Sequence, residues 1–198
     1  PGNEAIRKES SKLVVPRIGV RFRLPAEMEQ VTYFGRGPEE NYCDRNNGTL
    51  VGEYQATAEQ MYFPYVRPQE NGHHTDTRWL MLKKKNGKGL AVYADGTLEF
   101  NSLRNSIEDF DGEEAVQRDY QWNNRDAEEL KHDVSTAKNI KPRQTHINDI
   151  TPRDFVEVCL DMRQMGVGGF DSWGAVPDPQ YLIPANKEYQ WGFTIVPM

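Results

Sequence analysis

The chain has 198 residues, 37% hydrophobic and 11% aromatic, with 12 Pro and 16 Gly. It is long enough to bury a core without staples, and this mix favours short strands joined by turns over a helical bundle. A net charge of −6 with no basic stripe excludes a nucleic-acid footprint, and no run approaches the roughly 20 apolar residues of a membrane span.

Pro1 to Lys12 is polar and starts without Met, the pattern of a tail or linker in a piece of something longer. Ile18, Val20, Phe22 and Leu24 then alternate with Arg17, Gly19, Arg21 and Arg23, predicting a half-buried strand with one arginine-rich face. Pro25 to Glu27 turns it, and Val31 to Phe34 is the expected partner strand. Gly35 to Arg45 is a polar loop. Its charges Arg36, Glu39, Glu40, Asp44 and Arg45 suit an ion-pair network within the loop, or a surface that holds another domain. Asn46-Asn47-Gly48 is a further turn signal.

Pro64 demotes the aromatic run Met61 to Val66 to an irregular or edge segment. Glu70, His73, His74 and Asp76 lie close in sequence. Adjacent histidines on a strand face opposite ways, so a zinc set is not expected, and solvated or carboxylate-paired imidazoles are. Trp79 to Leu82 and Gly89 to Ala94 flank a lysine-rich tip and predict a hairpin. Asp95-Gly96 should turn the chain into Thr97 to Phe100.

Asn101 to Asn139 is the least regular part, with an acidic cluster at Asp109, Asp111, Glu113 and Glu114 that lacks an EF-hand register. Asp126 to His132 is the one helical candidate. Phe155 to Met162 is the clearest strand, with Val156, Val158, Leu160 and Met162 inward. Tyr189 to Val196 is the last. Cys43 and Cys159, one after a polar loop and one in a core strand, are expected to be unbonded. The strands run through 13–198 as a single antiparallel β-sandwich domain after a tail at 1–12. The expected protein is soluble, with the cytoplasm and the periplasm both open.

One stretch has chemical promise. Met165-Gly166-Val167-Gly168-Gly169-Phe170-Asp171-Ser172-Trp173-Gly174 packs glycines around a single large aromatic. Glycine lets the backbone turn sharply and approach a ligand. The indole of Trp173 is a platform for the apolar face of a sugar, with Asp171 beside it to accept hydroxyl hydrogen bonds. A tryptophan folded back as a core plug fits the same spacing.

These residues, with Tyr181, Leu182, Pro184 and Tyr189 to Phe193, resemble the C-terminal domain of the large bacterial β-galactosidases, the region also known as their small chain. The resemblance recurs in Pro16-Arg17-Ile18-Gly19, in Gly35-Arg36-Gly37-Pro38-Glu39-Glu40-Asn41-Tyr42-Cys43-Asp44-Arg45 and in Pro68-Gln69-Glu70-Asn71-Gly72. It covers about residues 13 to 198 in order. It implies a large supersandwich, similar to the galactose mutarotases, with at most one or two short helices. It also implies that the catalytic carboxylates lie in a separate barrel domain, with Mg and Na ions bound in other domains and no cofactor in this chain. Trp173 then looks like the family's substrate-stacking tryptophan. Phe170 departs from the family, standing where many relatives carry an acidic residue, while Trp173 and Asp171 stay in register.

The residues agree with that placement. A retaining glycosidase needs two carboxyls about 5–5.5 Å apart, and no pair is picked out here. A barrel of about 250 residues does not fit. The expected partners are the barrel and other domains of the same enzyme, a galactoside, and further copies in a homo-oligomer. A free-standing carbohydrate-binding module and an aldose 1-epimerase are the alternatives.

Overall fold

The computed structural model describes residues 13–66, 69–111, 147–168 and 175–198. They form two compact units. The larger comprises residues up to Phe63, Asn71–Arg104 and Arg153–Met198. It holds seven strands: β1 (Arg17–Pro25), β2 (Gln30–Gly37), β3 (Leu50–Thr57), β4 (His74–Lys83), β5 (Gly89–Leu103), β6 (Phe155–Gln164) and β7 (Phe193–Pro197). They make one antiparallel sheet in the order β1-β6-β5-β4-β2-β3, with β7 paired to β5. The fold is all-β and sandwich-like, as its composition implies.

Period-two alternation puts the apolar residues on one face of this sheet. Val31 and Tyr33 of β2 lie opposite Leu82 and Leu80 of β4, and Leu80 lies opposite Val92 of β5. Phe100 of β5 lies opposite Leu160 of β6, with Val156 and Val158 in the same file. All of these side chains are at most 1% exposed. Burying each large aliphatic among them is worth about 1.5–3 kcal/mol, so this face is the main source of stability.

The opposite face of β1 and β6 is charged. Gly19, Arg21 and Arg23 lie across from Asp161, Cys159 and Glu157. Arg17 Nε meets Asp161 at 3.0 Å, while Arg21 and Arg23 meet Glu157 at 3.6 and 2.9 Å. The arginine face read from the alternation is therefore real, and its partners are on β6. This corrects the expected pairing of β1 with β2, which lie apart in the sheet order. Buried carboxylates have to find cations, and β1 supplies them.

Three further boundaries differ from expectation. β3 carries no clear sequence signal because its alternating residues are mostly exposed. Asp95-Gly96 is no turn: β5 runs straight on, Gly96 takes φ 105°, and the strand changes partner there. Residues 90–94 pair with β7 and residues 99–103 with β6. The last strand starts only at Phe193, and Tyr189, expected to open it, donates its hydroxyl to Pro184 O. The hairpin of β4 and β5 is as expected, with Trp79 opposite Tyr93 and Leu82 opposite Leu90.

The smaller unit comprises Pro64–Glu70 and Asn105–Pro152. Its helix α1 (Ile107–Asp111) stands within the stretch expected to be irregular. Ser106 opens it, donating its N–H to Asp109 Oδ2 at 2.9 Å. The helical candidate 126–132 lies outside the described residues, as do Glu113 and Glu114.

Gly19 sits where an added Cβ would stand 2.1 Å from Asp161 Oδ1 and 2.5 Å from Leu160 O. Gly19→Ala should lower unfolding free energy by about 1–3 kcal/mol in urea titration, because backbone must move to admit the methyl. Gly48→Ala, with open space around it, is the control and should stay within about 0.5 kcal/mol of the parent.

Candidate functional site

The glycine-rich stretch leaves β6 at Gln164, and its root is held by six residues. Gln164 N–H donates to Glu99 Oε2 at 2.6 Å, and its side-chain oxygen accepts from Arg17 Nη2 at 2.7 Å. The Cys43 thiol donates to Gln164 O at 3.4 Å. Met165 N–H reaches Pro16 O, and Gly166 N–H reaches Tyr181 O, both at 2.9 Å. Gly168 N–H donates to Asp44 Oδ2 at 2.7 Å.

Glycine is needed at the first of these turns for close approach. A Cβ at Gly166 would stand 2.6 Å from Asp44 Oδ2 and 2.9 Å from Tyr181 Cβ, and one at Gly168 would stand 3.1 Å from the same oxygen. Asp44 thus fills space that side chains on this stretch would otherwise take.

The polar loop before Asp44 is built to hold it still. Arg45 N–H closes a turn onto Tyr42 O at 2.9 Å. The Arg45 guanidinium covers the Tyr42 ring at 4.6 Å and bonds Glu40 at 2.6 Å. The other Glu40 oxygen accepts Gly72 N–H at 2.7 Å. Tyr42, itself 1% exposed, stacks on His73 at 5.2 Å. The expected ion-pair network is therefore only partly formed inside the loop, since Arg36 pairs with Asp76 on β4 and Asp44 serves a backbone N–H.

Neither histidine is solvated. His73 Nδ1 meets Asn101 Oδ1 at 2.8 Å, and Nε2 meets Glu99 Oε2 at 3.0 Å. Asn101 donates its amide to Asn71 O, which fixes its oxygen as the acceptor. His74, the first residue of β4, packs between Tyr33 and Phe100 with ring centroids 4.8 and 5.2 Å away. Its Nδ1 lies 3.1 Å from Arg36 O. Burial pushes its imidazole down to about 4, so it is neutral at pH 7. Burial likewise raises the Tyr33 phenol and the Cys43 thiol. Cys43 and Cys159 are free thiols.

The structure therefore brings together the glycines at 166 and 168 with residues that sequence reasoning had not joined to them: Arg17, Asp44, Glu99 and Tyr181. Trp173, Asp171 and Phe170 lie outside the described residues. Among the described residues, no three His, Cys, Asp or Glu side chains converge as a metal-ligand set. A groove of about 440 Å³ at the β2–β3 edge is lined by Gln30, Thr32, Gln55, Thr57 and Lys83 among others. It has no carboxylate in its lining, so acid–base cleavage of a glycoside does not belong there.

The architecture is that of an all-β, sandwich-like domain that braces a glycine-rich loop. Its relatives name the class. The family model described as "Beta galactosidase small chain" matches residues 3–195, and the chain belongs to that family. A β-galactosidase of Priestia megaterium is 31% identical over 187 residues, 93% of this chain and 15% of that protein. One of Streptococcus thermophilus is 31% identical over 184 residues, 92% of this chain and 15% of its own length. One of Arthrobacter sp. (strain B7) reaches 43% over 83 residues, 42% of this chain and 8% of that protein. The chain thus spans about 15% of the length of the first two relatives.

The buried His74 gives a pH test. Its folded value is depressed below the unfolded value of 6.5, so the unfolded chain binds the proton first and stability falls as pH drops below about 6.5 toward 4. The loss between pH 7 and pH 5 should be about 2 kcal/mol. His74→Gln should be less stable at pH 7 and should lack this part of the slope. Urea midpoints across that range check it.

Proposed function

We propose that this chain is the C-terminal domain of a β-galactosidase, lending a substrate-contacting loop and an assembly surface to an active site whose catalytic carboxylates lie in a separate barrel domain. The observation that carries this is one of proportion: 93% of the chain aligns with only 15% of a β-galactosidase. The chemistry of the described carboxylates supports it. Glu157 and Asp161 are bound to arginines, and Glu99 is bound to His73 and the Gln164 N–H. Carboxylates so engaged suit bracing more than acid–base work, which supports placing the retaining pair, about 5–5.5 Å apart, in another domain.

In this reading Trp173 stacks its indole on the apolar face of the galactoside, and Asp171 accepts a sugar hydroxyl. The partners are the barrel and other domains, with further copies of the enzyme in a homo-oligomer. Any Mg or Na ions are held in those other domains. An aldose 1-epimerase would need a histidine and a carboxylate converging on an open site. His73 and Glu99 do converge, but the His73 side chain is 0% exposed, which denies an aldose access.

Two outcomes are expected. The purified chain should hydrolyse no chromogenic galactoside, and measurable turnover by clean material would refute the assignment of the carboxylates. In the full-length enzyme, Trp173→Ala should raise KM roughly 5- to 150-fold, equivalent to about 1–3 kcal/mol of lost stacking, with an unchanged thermal melt. A melt lowered by many degrees with KM unchanged would make Trp173 a core plug.

A further inference from the structure

We infer that Asp44 is the positioning residue of the sugar-contacting loop, acting by clamping the loop's backbone at Gly168; this rests on the reading that the loop carries the substrate contact at Trp173. Asp44 lies 124 residues from Gly168 in sequence, yet its Oδ2 takes the Gly168 N–H at 2.7 Å, five residues before Trp173. It also occupies the volume beside Gly166 and Gly168 that any side chain there would need. Its own backbone is fixed by the Tyr42–Arg45 turn, which is pinned by Tyr42 on His73 and by Arg45 on Glu40.

A clamp at this point acts on the loop in a way that packing alone does not. A charge-assisted hydrogen bond to a backbone N–H is short and directional, so it fixes the height and heading of the chain as it enters the loop. The remaining oxygen, Oδ1, is buried and accepts no hydrogen bond among the described residues. A buried acceptor left open costs free energy, which argues that the carboxylate is kept for its hold on the loop and not for filling space.

The test uses the full-length enzyme and two readouts. In Asp44→Ala, the Gly168 amide should exchange with solvent at least tenfold faster, while Leu160 and Phe100 amides keep their protection. KM for a galactoside should rise several-fold with little change in kcat. Placed in a Trp173→Ala background, Asp44→Ala should raise KM no further, because its effect passes through that side chain. Asp44→Asn, which keeps an oxygen for Gly168, should restore most of both readouts. Asp44→Ser replaces the alanine variant if Leu160 and Phe100 lose protection with it. Unchanged Gly168 exchange overturns the inference, and so does a KM effect that adds in full to that of Trp173→Ala. If Trp173→Ala alone leaves KM unchanged, the substrate role of the loop falls instead, and the exchange at Gly168 still decides whether Asp44 clamps it.

Discussion

The interaction on which the rest depends is the neutralisation of Glu157 and Asp161. Both sit on the central stretch of β6, at 3% and 1% exposure, on the face away from the apolar core. A carboxylate removed from water this far is tolerable only with a cation and hydrogen bonds at close range. β1 meets that need with Arg17, Arg21 and Arg23 on one face, so the charge pattern of one strand selects the other as its neighbour. Removing Arg17 would take that cation from the buried Asp161, a change of the kind that costs about 3–5 kcal/mol, whereas Glu157 keeps one arginine when Arg21 or Arg23 is lost. The pairing of β1 with β6 is thus fixed by electrostatics on one face and by Val156, Val158 and Leu160 on the other.

Arg17 extends that constraint to the loop. Its guanidinium reaches Asp161, the Asn101 oxygen and the Gln164 side chain at once. Asn101 in turn holds His73, and His73 supports Tyr42 from below. Tyr42 and Arg45 then set the turn that presents Asp44. The result is a continuous run of hydrogen bonds and ring contacts from the edge strand to the backbone of Gly168. Such networks stiffen the segments they join, here the start of β1, the Tyr42–Arg45 turn and the chain leaving β6.

Much of the sheet was legible because its alternation is strict. Ile18 to Leu24, Trp79 to Leu82 and Val156 to Leu160 declare their faces residue by residue. Pairing across long separations was not legible. β1 meets a strand more than a hundred residues away, and proximity in sequence wrongly favoured β2. β3 escaped notice because none of its side chains is buried, so no apolar period marks it. Gly96 read as a turn because glycine after aspartate usually makes one, whereas here its positive φ lets one strand serve two neighbours. His73 pairs with a carboxylate, Glu99, as one of the two expectations had it, but the burial of both imidazoles was not legible, since nothing local shows the aromatic rings or the Asn101 side chain that enclose them. At the site, the glycines at 166 and 168 were legible as a place of close approach, but the carboxylate that approaches them was not.

The four motifs that carry the family resemblance are scattered through the sequence and meet at one place in the fold. Pro16 and Arg17 take the Met165 N–H and the Gln164 side chain. Asp44, at the end of the Gly-Arg-Gly-Pro stretch, takes the Gly168 N–H. Asn71 orients the amide of Asn101, and Gly72 gives its N–H to Glu40. Several of these contacts use backbone atoms on one side, which any residue could supply. What demands particular residues is the other side: a carboxylate that must reach, a guanidinium that must fork three ways, a glycine with no room for a Cβ. A sequence pattern made of such residues marks the bracing of a loop as much as the loop's own chemistry. It follows that a motif can identify this family through residues whose contacts fix the backbone from Gln164 to Gly168.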